Sequence, residues 1–437
     1  MLIKEFIKFS VMLDLRFIRE NPQLIKEHLK RRFQEEKLFL VDEIIKNYEK
    51  ENKLKKEIDE LRHQRNSLSQ EINKLKKEKK DASQKIQKAQ ALPQQISERE
   101  DELKKLHERT TIIQNKIPNL ILKQVPLGKD ASENVVRKKE GKIPKFTFQP
   151  KTHVELIEQL GLADFEASAK TSGNGFYFLK DKLALLNQAL IHFTIDYMCK
   201  KKYTYIEPPL LLKRDVLSAA TDTETLKNSI YSIEGEPLDL IGTSEYSLLG
   251  MHANEFIKEE DLPKKYFSYT MCFRKEIGSH GINEKGLWRT HQFNKIEQFI
   301  FCKPEDSEKY YDELLKNSEE LIRKLKLPYR VLEMCSGDLA LWKARSADIE
   351  VYRPTTKEYG EVCSLTNCTS YQARKLNIKL LRKDGTKEVL HTLNNTAIAT
   401  SRILVAIIEN YQQKDGSIKV PAVLQKYLGF KKIEKEK

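Results

Sequence analysis

Residues 42–118 contain no glycine and are rich in Lys, Glu and Gln. Within them Leu54, Ile58, Leu61, Leu68, Ile72 and Leu75 recur at spacings of 4, 3, 7, 4 and 3, the a/d rhythm of a coiled coil. A second stripe, Ile96, Leu103, Leu106, Ile113 and Ile117, repeats the rhythm after a break holding Ala89, Ala91 and Pro93. Two such stripes in succession predict an antiparallel two-helix hairpin over about 42–118, with its tip at about 82–94. The outgoing helix, at ~1.5 Å per residue, is then roughly 60 Å long. The returning stripe is shorter, so either the tip lies earlier or the outgoing helix begins inside a globular body. A two-stranded coil has no room for a catalytic pocket, which leaves the roles of spacer, dimerisation device or ruler. Residues 61–90 carry nine Lys or Arg against three Asp or Glu. That surplus favours contact with phosphate backbones; a solvated coil that only dimerises is the alternative.

At 437 residues the chain is long enough for two or three domains, one with a large core. The formal net charge of +14 favours polyanionic partners, without separating nucleic acid from anionic membrane. No run of eighteen apolar residues occurs, so no membrane span is expected. The opening MLIKEFIKFSVML is broken by Lys4, Glu5 and Lys8 and no small-residue cleavage site follows; it reads as an amphipathic extension rather than a secretion signal. Six cysteines (Cys199, Cys272, Cys302, Cys335, Cys363, Cys368) lie far apart with no CxxC pair. Buried, reduced thiols in a cytoplasmic protein are expected, and no zinc site. Pro118, Pro126, Pro144 and Pro150 with Gly128 and Gly141 mark a linker. The expected organisation is an N-terminal domain over 1–125, a linker over 126–150 and a second domain over 151–437.

In that second domain, residues 152–161 and 181–201 read as helices, and 203–212 as a strand interrupted by Pro208 and Pro209. Residues 266–301 read as two antiparallel strands joined by a long excursion rich in Gly and charge. If the first strand continues, Arg274 and Glu276 share a face; on the second, Phe293, Lys295, Glu297 and Phe299 do. A guanidinium and carboxylates converging beside an aromatic ring suit a substrate with phosphate, amine and a flat base. An exposed hairpin with ordinary salt bridges is the plain alternative. Residues 348–350 and 361–364 form a second strand pair, in which Glu361 and Ser364 offer hard oxygen ligands for Mg²⁺. Residues 391–411 pass from a polar turn into an apolar helix. Arg402 is the only charge between His391 and Glu409, and a buried guanidinium needs an anionic partner. The closing FKKIEKEK is basic and reads as disordered.

These residues carry a resemblance. Phe273 to Glu276, Gly278-Ser279-His280-Gly281, Arg289 to Phe293 and Lys295-Ile296-Glu297 resemble motif 2 of the seryl-tRNA synthetases, in their archaeal and eukaryotic form. The 181–212 stretch resembles motif 1 of class II synthetases, which implies a homodimer interface. Gly242-Thr243-Ser244-Glu245 resembles the family's serine loop, with Ser247 where Pro is usual. The 335–350 segment resembles another family stretch but has Ala340, Lys343, Arg345, Ser346 and Ala347 where Gly, Ala, Lys, Thr and Tyr are common. Residues 361–364 resemble the family's EISS, residues 367–374 its NCTDYQAR run, and residues 391–411 its motif 3. MLDLRFIREN from Met12 resembles the family's usual start.

The resemblance implies an α+β fold: a class II antiparallel sheet flanked by helices, preceded by a long coiled-coil arm that embraces the variable arm of tRNA-Ser. It implies a cytoplasmic, homodimeric serine–tRNA ligase with ATP as substrate and Mg²⁺ as cofactor, acting on tRNA-Ser and, where the host has one, tRNA-Sec. Arg274 would meet the α-phosphate and Arg402 the γ-phosphate, with Mg²⁺ at Glu361 and Ser364. The nucleotide site would run through Arg274, Lys275, Glu276, Thr290, His291, Gln292, Phe293, Glu361, Val362, Cys363, Ser364 and Arg402, with Phe293 stacking on adenine. Thr243, Ser244, Glu245 and Glu297 would hold the serine ammonium, Asn394 and Thr396 its hydroxyl. A catalytically silent paralogue binding tRNA through the arm, or a relative loading a carrier protein, are the alternatives.

Overall fold

The structure is a computed structural model that describes residues 15–277 and 285–435. The opening extension with Met12, and the Gly278-Ser279-His280-Gly281 run, lie outside the described residues. The chain divides into two compact units, residues 11–118 and 119–437.

In the first unit, two short helices (Leu15–Glu20 and Pro22–Arg31) precede α1 (Leu38–Lys77) and α2 (Ser83–Gln114), which run antiparallel. Ile18, Ile25, Leu29, Val41 and Ile44 are buried together at the base of α1. Farther out only a narrow seam is covered: Leu54 and Ile58 on α1 and Leu92 and Ile96 on α2 are buried, while Leu61, Leu68, Ile72 and Leu75 are half-buried. Arg62–Glu100 (2.6 Å), Lys50–Glu102 (2.8 Å) and Arg109–Glu43 (2.6 Å) stitch the flanks. The tip lies at residues 78–82, earlier than 82–94, and α1 starts before 42. The turn is made by charged residues with Lys79 in the left-handed region (φ 56°). Pro93, which marked the expected break, sits exposed inside α2. Its ring removes one backbone donor without ending the helix, because the helix on either side is held by the seam.

In the second unit an eight-stranded sheet is built from β1 (Val135–Glu140), β2 (Thr204–Tyr205), β3 (Lys264–Phe273), β4 (Gln292–Cys302), β5 (Tyr329–Glu333), β6 (Arg345–Arg353), β7 (Glu358–Thr369) and β8 (His391–Ala399). The spatial order is β1-β5-β6-β7-β8-β4-β3-β2. Every pairing is antiparallel except β2 with β3. Three helices, α3 (Asp181–Lys200), α4 (Ser307–Lys324) and α5 (Thr400–Tyr411), supply apolar residues to a core with one face of this sheet. Leu186, Leu190, Leu314, Leu321, Leu404 and Ile408 are buried there with Ile296, Ile300, Ile349 and Leu393. At one end of the opposite face a smaller core gathers Leu217, Tyr246, Leu249, Phe299, Phe301 and Leu380. The rest of that face is open and polar.

Four expectations need correction. The segment 126–150 is more than a linker: β1 lies within it and pairs with β5 on the sheet edge. Residues 391–399 are a strand, not a polar turn, because Thr392, Asn394, Asn395 and Thr396 are buried and bonded within the sheet. The tail continues as a short strand, Lys432–Ile433, paired with Ile418–Lys419. Five cysteines are buried, but Cys199, near the end of α3, is exposed.

Candidate active site

The open face carries a cavity of about 350 Å³. Strand periodicity builds its floor. On β4 the odd residues Phe293, Lys295 and Glu297 line the cavity, while Ile296 and Ile300 point into the core. The neighbouring β8 sets Thr396 directly opposite Glu297, and Thr396 Oγ1 donates to Glu297 Oε2 at 3.2 Å. Lys295 Nζ reaches Glu297 Oε2 at 2.8 Å and donates to Thr243 Oγ1 at 2.6 Å. Glu245, at the start of a short helix (Glu245–Gly250), accepts from Gln372 Nε2 at 2.6 Å. Burial, and next the Glu297 charge, push its carboxyl up to about 7. Thr243, Glu245, Lys295, Glu297, Asn394 and Thr396 thus form a small, buried pocket of alternating charge. Ser244 is fully buried and does not line the cavity. Ser247 donates to the Pro209 carbonyl at 2.8 Å, which ties this helix in place where Pro is usual.

Toward the other end, Arg274 donates from Nε to the Gly242 carbonyl at 3.2 Å, and its Cζ lies 5.3 Å from the Phe293 ring centroid. The strand does not continue to Glu276: β3 ends at Phe273, and Glu276 has φ 52°. That turn still directs Glu276 into the cavity, paired with Arg289 at 3.2 Å. Thr290 also lines it, whereas Lys275, His291 and Gln292 do not. Lys275 lies 5.8 Å from the Tyr231 ring, the His291 ring packs near Phe176, and Gln292 reaches Met271.

Glu361, Val362, Cys363 and Ser364 all line the cavity. In a regular strand Glu361 and Ser364, three apart, would face opposite ways. Cys363 pairs with Ile349 and Glu361 with Glu350, so Val362 is an extra residue, and this bulge turns Glu361 to the Ser364 side. Arg402, at the start of α5, meets Glu361 Oε2 at 3.1 Å and its carbonyl at 2.9 Å. Its Cζ lies 5.6 Å from the Trp288 ring centroid. The anionic partner expected for Arg402 is therefore Glu361, whose carboxyl is held below the usual range by this guanidinium against the opposing effect of burial.

Sequence reasoning passed over Asp348, which sits opposite Ser364 on β6. Burial and the Glu361 charge push its carboxyl up to about 7, and its Oδ1 accepts no hydrogen bond among the described residues. The alternation of Asp348 with buried Ile349 was the available signal. Trp288, Arg289, Lys295 and Lys343, also lining the cavity, were likewise given no role.

A broad antiparallel sheet, covered by helices on one face and carrying on the other a cleft with arginines on a β-hairpin and at a helix start, defines a class II aminoacyl-tRNA synthetase core. Residues 230–411 match the model of the class II core domain (G, H, P, S and T), and residues 12–121 that of the seryl-tRNA synthetase N-terminal domain. The serine–tRNA ligase of Methanoregula boonei is 44% identical over 95% of this chain and 99% of its own length. The Pyrococcus horikoshii seryl-tRNA synthetase, solved with ATP, superposes with a TM-score of 0.90 at 40% identity, covering 98% of this chain and 100% of that one. The cytoplasmic serine–tRNA ligase of Naegleria fowleri, solved with AMP, gives 0.86 at 29% identity, covering 98% and 100%. The chain belongs to the seryl-tRNA synthetase family, the serine–tRNA ligases.

Proposed function

We propose that the cavity activates L-serine with ATP and that the seryl group then passes to the 3′ end of tRNA-Ser. Glu297, with Glu245 and Thr243, holds the serine ammonium, and Thr396 and Asn394 receive its hydroxyl. Phe293 stacks on adenine and Glu276 accepts from its amine. Arg274 meets the α-phosphate and Arg402 the γ-phosphate. A serine carboxylate oxygen bonds to the α-phosphorus, the bond to the bridging oxygen breaks, and its electron pair leaves with pyrophosphate. No general base is needed, because the carboxylate is already ionised. The negative charge that gathers on phosphorus is met by cations set in place beforehand.

The observation that carries this reading is the contact set around Glu297: Lys295 at 2.8 Å and Thr396 at 3.2 Å, with Thr243 bonded to Lys295 at 2.6 Å, gather a buried carboxylate with the hydroxyls that a small amine bearing a hydroxyl can bond. A buried site built to bond a hydroxyl rejects alanine by about 10⁴-fold, since its polar groups would be left unpaired. Threonine adds one methyl, worth about 1–3 kcal/mol by exclusion.

The acidic wall fits a hard cation. Asp348 Oδ1 is buried without a donor among the described residues, and Glu361, Asp348 and Ser364 supply oxygens of the kind Mg²⁺ takes. Those residues would hold the ion, which when bound supplies positive charge to the phosphates. The basic outer half of α1 and α2 supports tRNA binding through the arm. Exposed Phe178 and Leu185 beside and on α3 support a homodimer interface there. No described helix is long and apolar enough to cross a membrane, and a cytoplasmic location suits the activity. Glu297→Ala should abolish serine-dependent pyrophosphate exchange while leaving tRNA affinity intact; undiminished exchange would remove Glu297 from the site.

A further inference from the structure

Strand β8 is irregular where it crosses the floor of the cleft. It pairs Thr396 with Glu297 and Ile398 with Ile296, so Ala397 is an extra residue, and Ala397 and Ile398 both enter the core. The strand changes face at this bulge. Thr396 and Ala399, three apart, therefore both line the cavity. Each carbonyl of the bulge takes a side-chain donor: Ala397 from Cys363 Sγ at 3.6 Å, and Thr396 from Ser318 Oγ at 2.9 Å.

Ser318 belongs to α4 and is fully buried on the helix-covered side of the sheet. Its hydroxyl accepts from Asn395 Nδ2 at 2.8 Å and from Gln298 Nε2 at 3.1 Å. Those two amides, directly opposite each other on β8 and β4, occupy both lone pairs, so the single proton is committed to the Thr396 carbonyl. The amides are fixed in turn: Gln298 Oε1 accepts from Asn317 Nδ2 at 2.9 Å, and Asn395 Nδ2 also donates to the Leu314 carbonyl at 2.8 Å. Leu314, Ile296 and Leu393 make the surroundings apolar, and in such a medium an unpaired carbonyl is costly. On the cavity side of the same residue, the Thr396 hydroxyl reaches Glu297 at 3.2 Å. Thr396 is thus gripped from both faces of the sheet.

Resting on the serine-activating reading, we propose that Ser318 is a positioning residue for serine selection: by holding the Thr396 carbonyl at the bulge, it aims the Thr396 hydroxyl into the pocket without itself touching substrate. Without that bond the extra residue is free to relax toward regular pairing with β4. A slip of one residue turns a side chain to the other face, so the effect falls on the contact with the substrate hydroxyl.

The test uses seryl- and alanyl-sulfamoyl adenosine, unreactive analogues of the acyl-adenylate that differ by one hydroxyl. Both tryptophans of the chain, Trp288 and Trp342, line the cavity, so their fluorescence reports its occupancy and yields each dissociation constant. Ser318→Ala should weaken the seryl analogue about 3- to 10-fold and leave the alanyl analogue within about twofold. Ser318→Cys, a weaker donor, should fall between S318A and wild type. On a Thr396→Val background the loss caused by S318A should vanish, because the two residues act as one unit. An unchanged constant for the seryl analogue, equal weakening of both analogues, or the same loss beside T396V would overturn the proposal, the second result marking a merely structural serine. Should S318A melt before assay, S318C carries the same comparison. Equal binding of the two analogues by wild type would instead sink the underlying reading.

Discussion

Glu245 and Glu297 are two buried carboxylates on one wall of the cleft, and Lys295 is bonded to the second. Burial first, and the neighbouring charge next, lift Glu245 from the ordinary 4.5 to about 7. Between these values the unfolded chain has released its proton while the folded chain keeps it. The folded state then binds more protons, so stability falls as pH rises through the window and the loss is complete above about 7. Glu245→Gln should therefore melt increasingly above wild type from pH 4.5 to 7 and hold that advantage beyond. Asp348, raised to about 7 by burial and Glu361, adds a similar slope to both proteins, so their difference isolates Glu245. Parallel melting curves across that range would show that Glu245 is ionised throughout. At this scale the sequence was most legible where strand alternation applies: Phe293, Lys295 and Glu297 fall on one face as the period of two demands. Lys275, His291 and Gln292 were drawn in by adjacency, and alternation or the turn after β3 sends them elsewhere. The place of Asp348 opposite Ser364 depends on which strands lie side by side, which no local pattern records.

The elements were legible in kind and less so in their ends. The capping box of Thr152 with Glu155 and the left-handed Gly161 bound their helix where the residue types indicate. The arm's tip lies earlier than the residue pattern indicates because Pro93 does not break its helix. A two-stranded seam tolerates an exposed proline whose ring projects to solvent, yet the missing hydrogen bond remains a local weakness. Replacing it by alanine should stabilise that turn by about 3 kcal/mol, read as slower amide hydrogen exchange over residues 86–97 of the full-length protein. Unaltered exchange would mean that the seam alone sets local opening there. Strand β8 was hidden by its polarity: Thr392, Asn394, Asn395 and Thr396 look like a turn until their bonds to β4, β7 and α4 are seen. The bulge at Val362 is likewise invisible in sequence, though it alone brings Glu361 and Ser364 to one side.

For the whole molecule, the proposed division of work follows the two compact units, with chemistry on the sheet and phosphate recognition by the basic arm. Glu57 meets Arg99 across the coil at 3.5 Å, a pair that lies on the body side of residue 61. Excising residues 61–90 keeps that pair and leaves 91–95 for a five-residue turn, the length of the natural one at 78–82. The shortened protein should keep serine-dependent pyrophosphate exchange near the wild-type rate while tRNA charging falls by orders of magnitude, as expected when most phosphate contacts are lost. Joint loss of both activities would make the arm a structural support. The central claim, that the cleft is shaped for serine, is tested most directly by ATP–pyrophosphate exchange with the purified protein offered serine, threonine, alanine and glycine in turn. Exchange with serine, and little or none with the other three, is the predicted result; no exchange with serine, or an equal rate with alanine, would contradict it.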